Sequence, residues 1–556
     1  MKALPAAVFA ISCTAVLAAA DAQVFDAETV RFARQVDIDR LSLLPVQTQG
    51  RESIWDTHAR RSVSRIYGST EVQGLPPSFV AMEWYVNTGA YLDRPIVYIR
   101  EKQMRAAVAE ALVPPTRETF QETDRLPPTV LLDERAFRLL ITNGRASVED
   151  FQRAAEIPQI GNELARLAAA KEYRLPLERL EIRVSALLDL GQVHLPAGAG
   201  RAVTLDSLLE AGKTTTQPQA APADAAAALS DAWRARDADA VNRALATLEA
   251  HYSSAAPVRP LRTMERFYNR ANHGLWALLP FLIAVLLLVI AAATGRRAAR
   301  IGGLIAFSLG VLVLLLQFGI RWAISGREWY LPPLLNQYEA VMGSALLGTM
   351  LALGLELRRG RSFWALAAAI YASAVLVASM IFPEHMSSAI QPGHGILNSP
   401  IMASHVAVII LGHALVGMTF VLSSFYLILA AVRGLGRSPS APAALTVDGR
   451  ADSVLAGLDR SNLLAAQLAL LLVTAGTVLG AYWGEIAWGR WWGWDPKETW
   501  SLITIAVYVV VIHLRYISGD RWRGVVTSCG CILGCLVMLF NWTAVNFLIP
   551  GKHSYA

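Results

Sequence analysis

The sequence predicts an α-helical polytopic membrane protein of about eight transmembrane helices, with an N-terminal extracytoplasmic domain of mixed, mostly helical character. Three observations predict it. From about Leu275 onward the 556-residue chain is a series of apolar runs of about 20 residues, the length that crosses ~30 Å of hydrocarbon. Before that point charged and apolar residues alternate as they do in a soluble domain. Most arginines between the apolar runs fall on alternate loops, and the other loops carry fewer basic residues, as the rule for cytoplasmic loops requires.

Residues 1–22 read as an export signal. Lys2 precedes an apolar stretch from Ala3 to Ala20, and Ala20-Asp21-Ala22 suits cleavage before Gln23; an uncleaved first anchor is the alternative. Either reading puts residues 23–215 outside the cytoplasm. Within that region Leu41–Arg60 begins as a short extended run and leads toward a helix. Ala106–Leu112, Leu131–Leu140 and Val148–Tyr173 have helical apolar spacing. Thr129–Leu132 and Leu180–Leu188 fit strand or helix. Residues 216–264 read as a linker followed by an amphipathic helix: the Pro/Gln/Ala stretch Thr214–Ala228, then Leu229–His251.

The third region, residues 265–556, carries the spans, predicted at about 275–294, 301–320, 338–357, 363–381, 405–430, 461–481, 501–517 and 525–547. With residue 274 outside, Arg296, Arg297, Arg300, Arg358, Arg359, Arg361, Arg433, Arg437, Arg460, Arg515, Arg521 and Arg523 all fall inside. The net charge of +6 is therefore largely a topology signal. No basic face on a folded domain is evident, so a nucleic-acid partner is not expected. Cys13 leaves with the signal, and Cys529, Cys531 and Cys535 sit in an apolar span, so the exported region has no disulfide framework. The chain contains no Cys-x-x-Cys-His and is not itself a c-type cytochrome by that test.

Between spans six and seven lies a run dense in tryptophan, Trp483 to Trp500, containing Trp488, Trp491, Trp492, Trp494 and Asp495. An aromatic belt explains one or two such rings, not the glycines and charges among them. Gly484, Gly489 and Gly493 permit turns and close approach to a ligand, and Asp495-Pro496 is a poor continuation of a helix. A short, surface-lying amphipathic element is predicted, suited to a flat apolar ligand with charged edges. Arg490 and Lys497 suit anionic porphyrin propionates, while Asp495, Glu498 and Glu485 either pair with those cations or position the ligand.

His405, at the outer end of span five, and His553, after span eight, bracket this run on the same predicted membrane face. Imidazole is a standard axial ligand of haem iron, so the pair suits a haem b sandwiched beside indole rings. The alternatives are a headgroup-level polar residue for His405 and a tail histidine for His553. His513 lies in the inner half of span seven, where a polar side chain usually faces a partner or cavity. His413, eight residues after His405, either contributes to a passage or bonds within the bundle, the second being the favoured reading. Glu339, at the start of span three, is a boundary acid, either a site residue or a surface position.

The run WGEIAWGRWWGWDPKETW resembles the tryptophan-rich WWD signature of cytochrome c assembly proteins, and its WDPKETW form is most similar to the CcsA/ResC branch of the System II pathway. EAVMG at 339–343, SHVAVIILGHA at 404–414, VVIHLRY at 510–516 and GKHSY at 551–555 extend the resemblance over roughly 265–556. It implies haem transport, presentation and attachment to apocytochrome c, with His405 and His553 as the outer axial pair. It also implies His513 as the intramembrane histidine that receives haem from the inner side.

Further implications concern partners and place. They are a CcsB/ResB-like membrane protein supplying a second intramembrane histidine, an apocytochrome c with a Cys-x-x-Cys-His motif, thiol-reducing proteins, and membership of a holocytochrome c synthase (haem lyase) complex. The implied location is the bacterial inner membrane, embedded in the lipid bilayer with the N-terminal domain and the WWD run on the periplasmic side. This chain shows no second inner-side histidine, since His273 is predicted outside, which points to a separate partner. LPVQTQGRESIWDTHAR resembles a segment seen ahead of fused assembly modules and carries no assigned chemistry. Two other haem readings stay open here, a System I-type haem-handling protein and a membrane cytochrome b; a haem-free transporter or receptor is the third alternative.

Overall fold

The computed structural model describes residues 23–48, 51–99, 105, 140, 145–148, 194–196, 202–204, 220–255, 259–271, 273–359, 363–382, 386, 388, 390, 397–433, 447–547, 549 and 551. The chain divides into two compact units, Met1–Asn269 and Arg270–Ala556. The export signal lies outside the described residues. So do the helices predicted over 106–112, 131–140 and 148–173, except Leu140 and Val148, and the two ambiguous segments at 129–132 and 180–188.

In the first unit, helices α1 (Ala27–Ala33) and α2 (Ile38–Ser42) each begin at an aspartate. The Asp26 carboxylate accepts from the Thr29 N–H at 2.7 Å, and that of Asp37 from the Arg40 N–H at 2.9 Å, satisfying donors that a helix start leaves open. The extended run resolves into strands β1 (Pro45–Thr48) and β2 (Arg51–Ile54), paired antiparallel from Pro45↔Ile54 to Thr48↔Arg51. β2 runs directly into α3 (Trp55–Tyr67), and α4 (Pro77–Val86) follows with proline in its first turn. Short strands β3 (Val97–Tyr98) and β4 (Arg145–Ala146) pair with each other, while β5 (His194–Pro196) and β6 (Ala202–Thr204) complete a sheet of order β2-β1-β5-β6.

The Pro/Gln/Ala stretch differs from its prediction as a linker. It enters a helix at Ala220, because alanine is the strongest helix former and outweighs a proline confined to the first turn. The amphipathic helix predicted over 229–251 is two, α5 (Ala220–Arg234) and α6 (Ala238–Ala255), broken where Arg236 takes φ +57°. That break aims Arg236 at Glu83 on α4, which is fully buried. Glu83 accepts from Arg236 at 2.6 and 2.8 Å, from Trp233 Nε1 at 2.7 Å and from the Tyr91 hydroxyl at 2.8 Å. A buried carboxylate persists only when its lone pairs are filled in this way. Helix α7 (Arg259–Arg270) places Glu265 among Arg51, Ser53 and Thr57.

Among its described residues the second unit contains eight helices long and apolar enough to cross a membrane. They are α8 (His273–Thr294), α9 (Arg297–Ile324), α10 (Gln337–Arg359), α11 (Phe363–Ile381), α12 (Pro400–Arg433), α13 (Val447–Trp488), α14 (Pro496–Ile517) and α15 (Arg523–Phe547). All eight predicted spans are present, seven as parts of longer helices and 363–381 as a helix of those same bounds. α12 is the most enclosed of the eight and α14 the least. Without a hydrophobic drive between helices in lipid, close packing holds them, and small residues provide it. Gly303 lies against Leu288 and Gly310 against Phe281 between α8 and α9, while Gly412 lies against Val473 and Gly476 against Ile409 between α12 and α13.

At one end of this bundle Arg515 donates to both oxygens of Asp459, at 2.8 and 2.6 Å, and to the Thr527 hydroxyl at 3.0 Å. At the other end, Asn546 on α15 donates to Gln337 on α10 at 3.2 Å, and Gly551 lies against Asp495 ahead of α14. The second end carries the candidate site.

Candidate functional site at the tryptophan end of the bundle

Ser399 and Pro400 open α12. The Ser399 hydroxyl accepts from the Met402 N–H at 3.1 Å, and proline occupies the first helical position. His405 follows in the second turn, half-buried. Its Nδ1 lies 2.7 Å from the carbonyl oxygen of Gly476 on α13. A carbonyl only accepts, so Nδ1 carries the proton and Nε2 carries the lone pair. Metal-binding histidines are commonly oriented by this type of bond. The ring fits because position 480 is glycine: a Cβ there would stand 2.6 Å from His405 Cε1.

Gly476, Gly480 and Trp483 are spaced by four and three residues and share one face of α13. Trp483 is buried one turn beyond the histidine, and the Trp488 ring meets it edge-on at 4.9 Å and 74°. The helix then ends at Gly489, whose φ of +69° suits the left-handed position after a helix. The predicted surface-lying element therefore does not exist as a separate piece. Nothing before Gly489 breaks α13, so the first third of the tryptophan run continues the membrane helix. Pro496 starts the next helix, because a first-turn proline loses no hydrogen bond.

The remaining rings do not form one flat platform. Trp491 leans on Tyr482 at 5.6 Å and 35°, and Trp492 meets Trp494 at 5.9 Å and 90°. Trp491 and Trp494 are exposed. Trp494 holds φ +57°, a conformation that costs a bulky side chain roughly 1–3 kcal/mol and often marks a functional turn.

Asp495 has a local structural role. Its carboxylate accepts from the Lys497 N–H at 3.2 Å, and Glu498 reaches back to the N–H groups of Gly493 at 2.8 Å and Asp495 at 3.1 Å. This capping box begins α14. Gly551 packs on the same aspartate: a Cβ at 551 would meet Asp495 Oδ1 at 2.9 Å. His553 lies outside the described residues, two positions after Gly551.

The structure does not bring His513 to this end. It lies on α14 roughly 25 Å along the axis from Pro496, at ~1.5 Å per residue, and is exposed. Its Nδ1 donates to the Val509 carbonyl at 2.8 Å, which leaves the lone pair on Nε2. His413 is different: it is buried, and Trp542 Nε1 donates to its Nδ1 at 2.9 Å. Its lone pair is used inside the bundle, the favoured of the two readings its sequence position allows.

Glu339 is neither a surface acid nor a lone one. It is buried between two buried arginines that its sequence context does not single out. Arg321 Nε donates to it at 2.9 Å, and Arg327 donates to both of its oxygens at 2.9 and 3.1 Å. The Leu335 N–H adds a bond at 2.9 Å, and Arg321 also reaches the Ser388 carbonyl at 2.7 Å. Beside them lies a cavity of about 20 Å³ lined by Gln317, Arg321, Tyr338 and Glu339, room for about one water. The cluster pins the loops at this end. The signal for it was arginine at the end of an apolar span.

The family described as cytochrome C assembly protein matches residues 334–553, a stretch that includes Glu339, His405 and His553. Cytochrome c biogenesis protein CcsA of Prochlorococcus marinus (strain MIT 9301) is 32% identical over 263 residues, covering 44% of this chain and 81% of that protein. CcsA of Chlamydomonas reinhardtii is 31% identical over 252 residues, covering 44% and 65%. Protein NrfI of Wolinella succinogenes is 31% identical over 268 residues, covering 47% and 26%. Eight membrane-length helices, the tryptophan turn and this shared sequence lead to one conclusion: the chain belongs to the CcsA family of cytochrome c biogenesis proteins.

Proposed function

We propose that the chain holds haem b at the tryptophan end of its bundle, between His405 and His553, and presents it to apocytochrome c for attachment. The observation that carries this reading is the bond from His405 Nδ1 to the Gly476 carbonyl, which turns Nε2 into a ligand. The seat of Gly551 on Asp495 supports His553 as the second ligand, because that histidine follows two residues later. Iron held by two imidazoles has its axial positions filled until the histidine of the incoming Cys-x-x-Cys-His peptide replaces one. The chain orients the cargo while the two thiols add across its vinyl groups. Each addition consumes one S–H and one C=C bond, so the thiols must arrive reduced, which assigns thiol-reducing proteins a place beside this one.

His513 serves at the other end of the path. An exposed imidazole on a membrane helix is costly against lipid, and its Nε2 suits haem only with a second ligand from outside the chain. That ligand belongs to a CcsB/ResB-like membrane partner. The location that fits is the bacterial inner membrane, with the tryptophan turn and the N-terminal region on the periplasmic side.

The test is pyridine-haemochrome analysis of detergent-purified protein, with and without the partner. His405→Ala should lose haem, and added imidazole should restore part of it. Full haem content in His405→Ala, at equal protein level, would sink the axial assignment.

A further inference from the structure

We propose that Arg490 grips a carboxylate of the bound porphyrin, one of the two propionates; this rests on the haem reading above and names the side chain that takes the charged edge. Immediately after the left-handed turn at Gly489, the Arg490 guanidinium folds onto Gly493. A Cβ at 493 would stand 2.1 Å from Arg490 Cζ and 2.2 and 2.5 Å from its terminal nitrogens. Its Nε is shielded from solvent and has no hydrogen-bond partner, and the guanidinium makes no hydrogen bond or ion pair among the described residues.

This is an unusual condition for a group with five N–H donors that never loses its charge. Shielding such a donor without a partner is unfavourable. The acids of the same turn do not relieve it. Glu498 accepts from the backbone of Gly493 and Asp495, and Asp495 accepts from that of Lys497.

The surroundings specify which anion fits. The Arg490 main chain and the Trp488 ring both pack over Gly484, with the Arg490 carbonyl oxygen 3.3 Å and Trp488 Cε3 3.6 Å from a Cβ built there. Trp488 in turn covers Trp483, on the helix face that seats His405. A cation at the rim of an aromatic wall, with an imidazole one turn along, matches a flat apolar body bearing carboxylates at one edge. The planar fork of arginine is suited to a carboxylate or phosphate. The position within the tryptophan cluster selects the porphyrin over a lipid headgroup.

The test uses the full chain in nanodiscs, titrated with haem and with haem dimethyl ester, in which both propionates are esterified. The wild type should bind haem about tenfold more tightly than the diester, a difference expected of one charge-assisted hydrogen bond. Arg490→Gln should weaken haem about tenfold and leave the diester unchanged, and Arg490→Lys should recover part of the preference. Equal weakening of both porphyrins by Arg490→Gln, or no weakening of either while His405-dependent absorbance persists, would overturn the inference. So would an Arg490→Gln effect present only in nanodiscs containing anionic phospholipid, which would make the ligand a lipid phosphate. A wild type that binds neither porphyrin would overturn the haem reading and this inference together.

Discussion

Two stretches of α12 carry a histidine each, eight residues apart on broadly the same face, and their neighbours give them opposite chemistry. At His405 the neighbour is a backbone carbonyl, so Nδ1 donates and the lone pair points elsewhere. At His413 the neighbour is the indole of Trp542, so Nδ1 accepts and the lone pair is consumed. The first imidazole is half-buried near the helix start, and the second is buried. The residue type is therefore a poor guide to ligation within a membrane. The partner of the other ring nitrogen decides it.

The largest effect separates the two. His405→Ala should reduce haem retention by about 100-fold or more, the scale of a lost first ligand beside the 10–100-fold that supporting groups carry. His413→Ala should retain haem and lower stability by about 1–3 kcal/mol, leaving the Trp542 donor unmatched. The comparison breaks if haem content falls equally in both variants at equal protein level.

A smaller change acts on His405 without touching it. Gly480→Ala places a methyl group within 2.6 Å of the ring and should displace it from the Gly476 carbonyl. Haem affinity should drop about tenfold, the low end for a lost orienting bond; optical titration measures it, and an unchanged affinity would show that the notch is unnecessary. Trp542→Phe sharpens the other half. It removes the N–H and keeps an aromatic, though smaller, ring, and should cost about 1–3 kcal/mol of stability by detergent melting with haem binding intact.

The last expected effect is one of pH and concerns a third histidine, in the first unit. Burial, then the charges of Arg61 and Arg65, lower the pKa of His58 from 6.5 to about 4. The unfolded chain takes up this proton first as pH falls, so stability should decline between about 6.5 and 4 and level off below. His58→Gln should flatten that part of the melting-temperature profile. An unchanged profile would show that His58 does not control it.

The centres of the eight spans were legible because apolar length is a direct demand of the bilayer. Their ends were only partly so: 363–381 is α11 as marked, whereas α13 runs from Val447 to Trp488 where the sequence marks 461–481, because backbone bonding carries a helix on into polar surroundings. The tryptophan run misleads for the same reason. Its composition suggests a separate element, yet the backbone obeys Gly489 and Pro496 as a stop and a start. Arg321 and Arg327 escaped notice because their partner, Glu339, lies across a loop with no periodicity to relate them. The candidate site was half legible. Residue types marked His405, but its partner is a main-chain atom, which no sequence spells out. The paired glycines at 476 and 480 were its one trace.

That main-chain partner has a consequence for how this protein can vary. An orienting carboxylate or hydroxyl can be lost by a single substitution, whereas the carbonyl of residue 476 belongs to every amino acid. Mutation can reach the bond only indirectly, by pushing α12 and α13 apart at Gly412, Gly476 or Gly480, or by filling the space of the ring. Tolerance at these positions is thus a question of volume rather than polarity. A library at 476 and 480 scored for haem should sort by side-chain size, with serine and alanine behaving alike.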